Sequence, residues 1–303
     1  MSQSLLPLRE RVRVRGKEVL LMKHRNHMHS NKISMIIIIA VCLVAAAGCA
    51  GIERQGRPAA VPEVRPGILQ GYLPAEALPN SLDLLPPPPA AGSAAFALDE
   101  EVSRKTLSLH NSPRWLLADS DSDLGFPHAA GTFSCALNAP VTEEDTPRLY
   151  MLLRRTLTDA GRSTYAAKNH YRRTRPFVLN KGPICPADGK MKAWLEKDGS
   201  YPSGHTTTGW AWALILSEIS PGEANAILER GRAFGESRNV CNAHWHSDVV
   251  QGYLIGAATV AVLHADLAFR ADLEAAKAEL GAIRAKGLKP TRDCKAEAGA
   301  LGR

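Results

Sequence analysis

A chain of 303 residues, 45% hydrophobic and 22% charged, has ample length for a core and allows one large domain or two small ones. Its formal charge of +7 suggests a polyanionic partner until its placement is read: residues 1–48 carry eight Lys/Arg against two acids, which leaves the rest of the chain near +1. The body is nearly neutral, so the charge gives no reason to expect a nucleic-acid partner.

The basic, His-rich leader runs into an apolar segment, Met35–Ala47, that is too short to span a bilayer comfortably and ends in small residues. That is the pattern of a secretory signal peptide, so residues 1–48 are expected to be removed. Ala46-Ala47-Gly48-Cys49 resembles a bacterial lipobox, with Ala46 where Leu is usual. Two outcomes stay open: lipidation at Cys49, which would be the only membrane attachment, or simple cleavage after Ala47. The leader is long, and Met22 or Met28 is an alternative start.

Export changes the reading of the cysteines. Cys135, Cys185, Cys241 and Cys294 remain in the mature chain, an even number for an oxidising compartment, and four cysteines allow three pairings. The absence of a C-x-x-C pair argues against a zinc knuckle.

Residues 49–80 are rich in Pro, Ala and Gly and read as a linker, followed by a polyproline stretch at Leu84–Ala90. A helical domain is expected over 81–290, with a tail over 291–303. Its first helix is expected over Asp99–His110, closed by Asn111-Ser112-Pro113, and Asp119–Ala139 reads as loop. Thr142 is placed to cap a strong helix with Leu149, Leu152, Leu153 and Leu157 at helical spacing, running toward Tyr171 and ended by Arg175-Pro176. Residues 177–198 read as loop. Thr207–Ile219 is an apolar helix, Ser220-Pro-Gly-Glu223 a capping box for the next, and one last helix runs from near His246 toward Lys286. No strand alternation stands out, so the expected fold is all-α, a compact helical bundle. The tryptophans Trp115, Trp194, Trp210, Trp212 and Trp245 are read as core or pocket wall, with core preferred.

Three clusters carry chemistry. Lys168 is followed by six residues and Arg175-Pro176. Gly199–Thr206 reads Gly-Ser-Tyr-Pro-Ser-Gly-His-Thr, directly ahead of the apolar helix, where free backbone N–H groups favour an anion. Ser237-Arg238 precedes His244 by five residues, and Asp248 follows His244 by three. Each cluster alone reads blandly, as solvated charges or a helix entry. Together they resemble the signature of the type-2 phosphatidic acid phosphatase and vanadium haloperoxidase superfamily: Lys-x6-Arg-Pro, Pro-Ser-Gly-His, Ser-Arg-x5-His-x3-Asp. The longer Gly199–Thr206 string is similar to the signature of bacterial class A non-specific acid phosphatases. Leu84–Ala90 and Glu143–Pro147 are similar to that family too, so the resemblance spans roughly residues 80–285.

The resemblance implies an exported acid phosphatase, a phosphoric monoester hydrolase that is periplasmic, secreted or anchored to the outer membrane as a lipoprotein. Its partners would be small phosphate monoesters. It would also imply phosphotransfer to alcohols, inhibition by vanadate, and assembly as a homo-oligomer. The chemistry of the residues agrees. Lys168, Arg175 and Arg238 are three cations for the non-bridging oxygens, with Ser203 and the Gly204 N–H as neutral donors. His244 is the expected nucleophile, forming a phosphohistidine, and Asp248 holds its ring. His205, protonated at mildly acidic pH, is the expected general acid and then the base. No cofactor or metal is expected: His244, His246 and Asp248 could be ligands, but helical spacing turns His246 away from the other two. The loops holding Cys185 and Cys241 must meet at one phosphate, so those two are expected to pair, leaving Cys135 for Cys294. A buried free thiol at Cys241 is the alternative. A membrane lipid phosphatase is disfavoured, because the best apolar run after residue 50, Val249–Val262, is too short and contains Gln251. A vanadium-dependent haloperoxidase and a non-catalytic phosphate-binding surface lipoprotein are the alternatives kept.

Overall fold

Where composition reads as linker, the computed structural model, which describes residues 58–303, shows an antiparallel hairpin. Strands β1 (Glu63–Arg65) and β2 (Ile68–Leu69) turn through Gly67 at a φ of +79°, a conformation that suits glycine. Tyr72 and Leu73 then enter the core, and the buried Asp159 carboxylate accepts both of their N–H groups at 2.8 and 3.1 Å. Side-chain and backbone bonding, invisible in composition, therefore fixes most of the expected linker to the domain. The leader and Cys49 lie outside the described residues.

A short α1 (Ser81–Leu84) follows, and the polyproline stretch is tied down by Tyr201, whose hydroxyl donates to the Pro86 carbonyl at 2.6 Å. Helix α2 (Ala94–Leu107) starts five residues before the expected Asp99, because the Ser93 hydroxyl caps it by accepting the Phe96 N–H at 3.2 Å. Ser112-Pro113, read as a stop, also starts α3 (Pro113–Ser120): Ser112 caps it and Pro113 takes the first turn. The expected loop continues as a 3₁₀ turn over His128–Phe133 and α4 (Ser134–Leu137).

Helix α5 (Pro147–Arg162) begins five residues after Thr142. Thr142 caps a separate turn, its hydroxyl accepting the Asp145 N–H at 2.9 Å, and Pro147 opens the helix itself. The chain breaks at Ser163 and resumes as α6 (Tyr165–Tyr171), which ends in left-handed Arg172 rather than at Arg175-Pro176. Arg175 instead precedes α7 (Pro176–Asn180), and α8 (Gly189–Leu195) occupies more of the expected loop. Helices α9 (Gly204–Ile219) and α10 (Ala224–Val240) follow, the latter entered through a 3₁₀ turn over Pro221–Glu223. The last long helix is two: α11 (His246–Leu263) and α12 (Leu267–Ala285) meet at 99°, with Asp266 capping the second. Helix α13 (Cys294–Ala300) lies in the expected tail and is joined to α4 by the Cys135–Cys294 disulfide. Among the described residues no single helix is long and apolar enough to cross a membrane.

Helix α9 is the hub, packed on α10, α11 and α5. Its Ala211, Trp212, Ile215 and Leu216 are fully buried. Glycines permit the approach: a Cβ on Gly252 would lie 2.8 Å from the Ser203 carbonyl, and one on Gly256 2.7 Å from that of Thr207. These contacts seat α11 against the first turns of α9, where the signature residues lie.

The Asp159 clamp carries a pH dependence. Burial raises its pKa to about 6, against the Tyr72 and Leu73 N–H groups, which lower it. The folded state then binds more protons than the unfolded one between about pH 4 and 6, so this contribution is full below pH 4 and lost as pH rises through 6. The unfolding free energy of the wild type, read from urea melts, should therefore fall between pH 4 and 6.5 by an amount, on the order of 2–3 kcal/mol, that Asp159→Asn does not show.

Candidate active site

The three clusters converge at the entry to α9. Ser203 caps that helix: its hydroxyl accepts from the Thr206 N–H at 3.3 Å and the Thr206 hydroxyl at 2.9 Å. Both acceptor positions are filled, so the Ser203 proton is left to donate. The Ser203 N–H binds the Asp248 carbonyl at 3.0 Å, which locks the second cluster to the third. On the other side, a Cβ on Gly199 would lie 2.5 Å from the Lys168 carbonyl, so only glycine lets the first cluster this close.

Lys168, Arg175 and Arg238 are all buried. One carboxylate oxygen, Asp198 Oδ2, takes Lys168 Nζ at 2.8 Å and Arg175 Nη2 at 2.7 Å. Arg175 also donates Nε to the carbonyls of Leu195 at 3.0 Å and Asp198 at 3.1 Å, and Nη1 to that of Ala243 at 2.9 Å. Arg238 differs: its Nε and Nη1 are buried with no hydrogen-bond partner. Desolvation, then Arg175, lowers Arg238 to about 9, and desolvation and Arg175 lower Lys168 to about 8 against the pull of Asp198.

The buried His244 has a defined tautomer. Arg175 Nη1 lies 2.9 Å from its Nε2, and an arginine can only donate, so Nε2 carries a lone pair. Nδ1 then carries the proton and donates to Asp248 Oδ2 at 3.3 Å. Desolvation, followed by Arg175, Lys168 and Arg238, holds His244 well below its ordinary pKa. Burial raises Asp248, while Arg173 at 2.6 Å and the Trp245 N–H at 2.9 Å pull it back. Arg173 is itself held by Asp99 at 2.7 Å.

His205 opens on the same cavity, with Nε2 donating to the Ser122 carbonyl at 2.9 Å. Desolvation and Arg238 push its pKa well below the usual value, with Arg175 and Lys168 adding to the effect. The sequence-based expectation of a protonated His205 thus needs a bound anion to cancel these charges. His246 is the first residue of α11. Among the described residues, no group of three or more His, Cys, Asp or Glu side chains is arranged to hold a metal ion. The Cys185–Cys241 disulfide staples the loop ahead of α8 to the end of α10, beside Arg238 and His244.

Asp198, Arg173 and Asp99 escape the sequence reading. Asp198 stands directly before Gly199, which is the one hint it offers. Arg173 sits in the run Arg172-Arg173-Thr174-Arg175, where nothing marks one arginine over another. Asp99 is over seventy residues from the arginine it holds. The cavity, of about 1040 Å³, is also far larger than a phosphate, and its wall includes Trp194, which is 51% exposed instead of core.

A model of the PAP2 superfamily matches residues 149–271. The chain is 43% identical over 206 residues to an acid phosphatase of Zymomonas mobilis, a match that covers 68% of this chain and 77% of that protein. It is 42% identical over 206 residues to a non-specific acid phosphatase of Providencia stuartii, covering 68% and 82% of the two chains. A non-specific acid phosphatase of Salmonella typhimurium is 41% identical over 202 residues, covering 66% and 80%.

An unpartnered buried cation destabilises the protein that carries it, by about 1–4 kcal/mol relative to an apolar group of similar shape. Arg238→Met should therefore unfold at a urea concentration no lower than the wild type. Added inorganic phosphate should raise the wild-type melting temperature and leave that of the variant unchanged.

Proposed function

The chain belongs to the PAP2 superfamily, in the acid phosphatase group, and we propose that it hydrolyses a broad range of small phosphate monoesters outside the cytoplasm through a phosphohistidine on His244. The observation that carries this reading is the His244 tautomer: a lone pair on Nε2, held by Arg175, with Nδ1–H on Asp248. Lys168, Arg175, Arg238, the Ser203 hydroxyl and the Gly204 N–H bind the non-bridging oxygens and match the charge of the transition state. His244 Nε2 attacks phosphorus, and the bond to the ester oxygen breaks. Asp248 stabilises the positive ring that forms.

His205 supplies the leaving oxygen with its proton. Nε2 is committed to Ser122, so Nδ1 is the nitrogen left for this task. The neutral ring then takes a proton from water, whose oxygen attacks phosphorus and releases His244 and inorganic phosphate. An alcohol in place of that water would make the enzyme a phosphotransferase. Three cations do the charge neutralisation a metal would otherwise supply, so the reaction is metal-independent. Vanadate, which mimics five-coordinate phosphorus, should inhibit. The two disulfides and the signal-like leader support export to the periplasm, with lipidation at Cys49 as one form of it.

His244→Ala should lower kcat on p-nitrophenyl phosphate by about a thousandfold or more, and near-full activity would contradict the mechanism. The bound dianion raises the His205 pKa from its depressed value, and the protonated ring is the active form. kcat should therefore fall as pH rises past that value, with a maximum on the acid side of neutrality. A maximum above about pH 8 would contradict the role of His205.

A further inference from the structure

Large apolar side chains left exposed are costly unless something covers them. Among the described residues, Val64, Tyr165, Met191 and Trp194 are such side chains, and all four line the cavity that holds His205 and His244. Three of them lie on helices that carry Lys168 or hold Arg175. Trp194 is the neighbour of Leu195, whose carbonyl accepts Arg175 Nε at 3.0 Å, and Met191 lies one helical turn before it on α8. Tyr165 is one turn before Lys168 on α6, and its phenol feels the charges of Asp198, Arg65 and Arg175. The hairpin closes this wall with Val64 and Arg65.

We propose that Trp194, with Tyr165 and Met191, forms a leaving-group subsite for a planar aromatic ring, so that aryl and nucleoside phosphates are favoured over aliphatic phosphate esters. A flat, half-exposed indole beside an anion site offers a face for stacking, while an aliphatic polyol gains little from it. The cavity of about 1040 Å³ has room for such a ring beyond the phosphate. The subsite rests on the phosphatase reading above, which it deepens by naming the substrate class.

The test is kcat/KM of the wild type, Trp194→Ala and Trp194→Phe on phenyl phosphate, adenosine 5′-monophosphate and glycerol 2-phosphate. Trp194→Ala should lower the aromatic-to-glycerol ratio by about fivefold or more, the loss of one ring stacking contact, and Trp194→Phe should restore most of it. The larger fall marks whether the directly linked phenyl or the ribose-spaced base sits on the indole. Equal losses on all three esters, or none, would overturn the proposal. Displacement of inorganic phosphate by benzylphosphonate and ethylphosphonate reads the subsite without turnover. Tighter benzylphosphonate binding that Trp194→Ala abolishes supports it even if no ester is hydrolysed, an outcome that sinks the phosphatase reading alone. Equal binding of the two phosphonates by the wild type overturns the subsite.

Discussion

Of three buried cations, two share one carboxylate and the third has none. Lys168 and Arg175 are neutralised in part by Asp198, and Arg238 has no anion within hydrogen-bond reach of Nε or Nη1. The cluster therefore carries an excess of positive charge, which suits an anion such as a phosphate monoester. Burial keeps that imbalance from being screened, which is visible in the lowered Lys168 and Arg238 and in the two histidines held neutral beside them. A pocket built this way favours an anion over a neutral ligand before any shape is considered.

Such a concentration of like charge has to be held by interactions that do not depend on it. Here they are steric and covalent. Gly199 lets one loop touch the Lys168 backbone, Gly252 and Gly256 let α11 touch the start of α9, and the Cys185–Cys241 disulfide fixes the end of α10. A second layer, Arg173 between Asp99 and Asp248, sets the His244 partner from α2 and α11 together. The stability that the cations cost is offset by the fully buried faces of α9 and its neighbours.

What was legible in the sequence follows the same division. Lys168, Arg175, Ser203, Arg238, His244 and Asp248 stood out because their three spaced motifs together resemble a known phosphatase signature, whereas each alone reads blandly. Asp198, Arg173 and Asp99 did not, because an ion-pair partner is chosen in space and any nearby acid or arginine would look the same in sequence. The all-α bundle could be read from helical periodicity, but boundaries slipped where two caps competed: Thr142 caps a turn and Pro147 starts the helix. The hairpin before Tyr72 and the exposure of Trp194 were hidden for a related reason. Both depend on what the rest of the chain places around them.

The geometry also sets the order of events in the proposed reaction. The N–H that Arg175 directs at His244 Nε2 is one that a phosphate oxygen would take, since an anionic oxygen is the stronger acceptor. In the proposed reaction His244 and the substrate compete for the same donor. While Arg175 holds the ring, the lone pair is occupied, and the imidazole is oriented but unreactive. When an anion draws that N–H away, the lone pair is freed toward the phosphorus of the group that freed it. The same anion raises His205 toward its protonated form, because the cations that depressed it are now balanced. Binding of the dianion thus arms the nucleophile and the acid together, and a neutral ligand in the same cavity would arm neither.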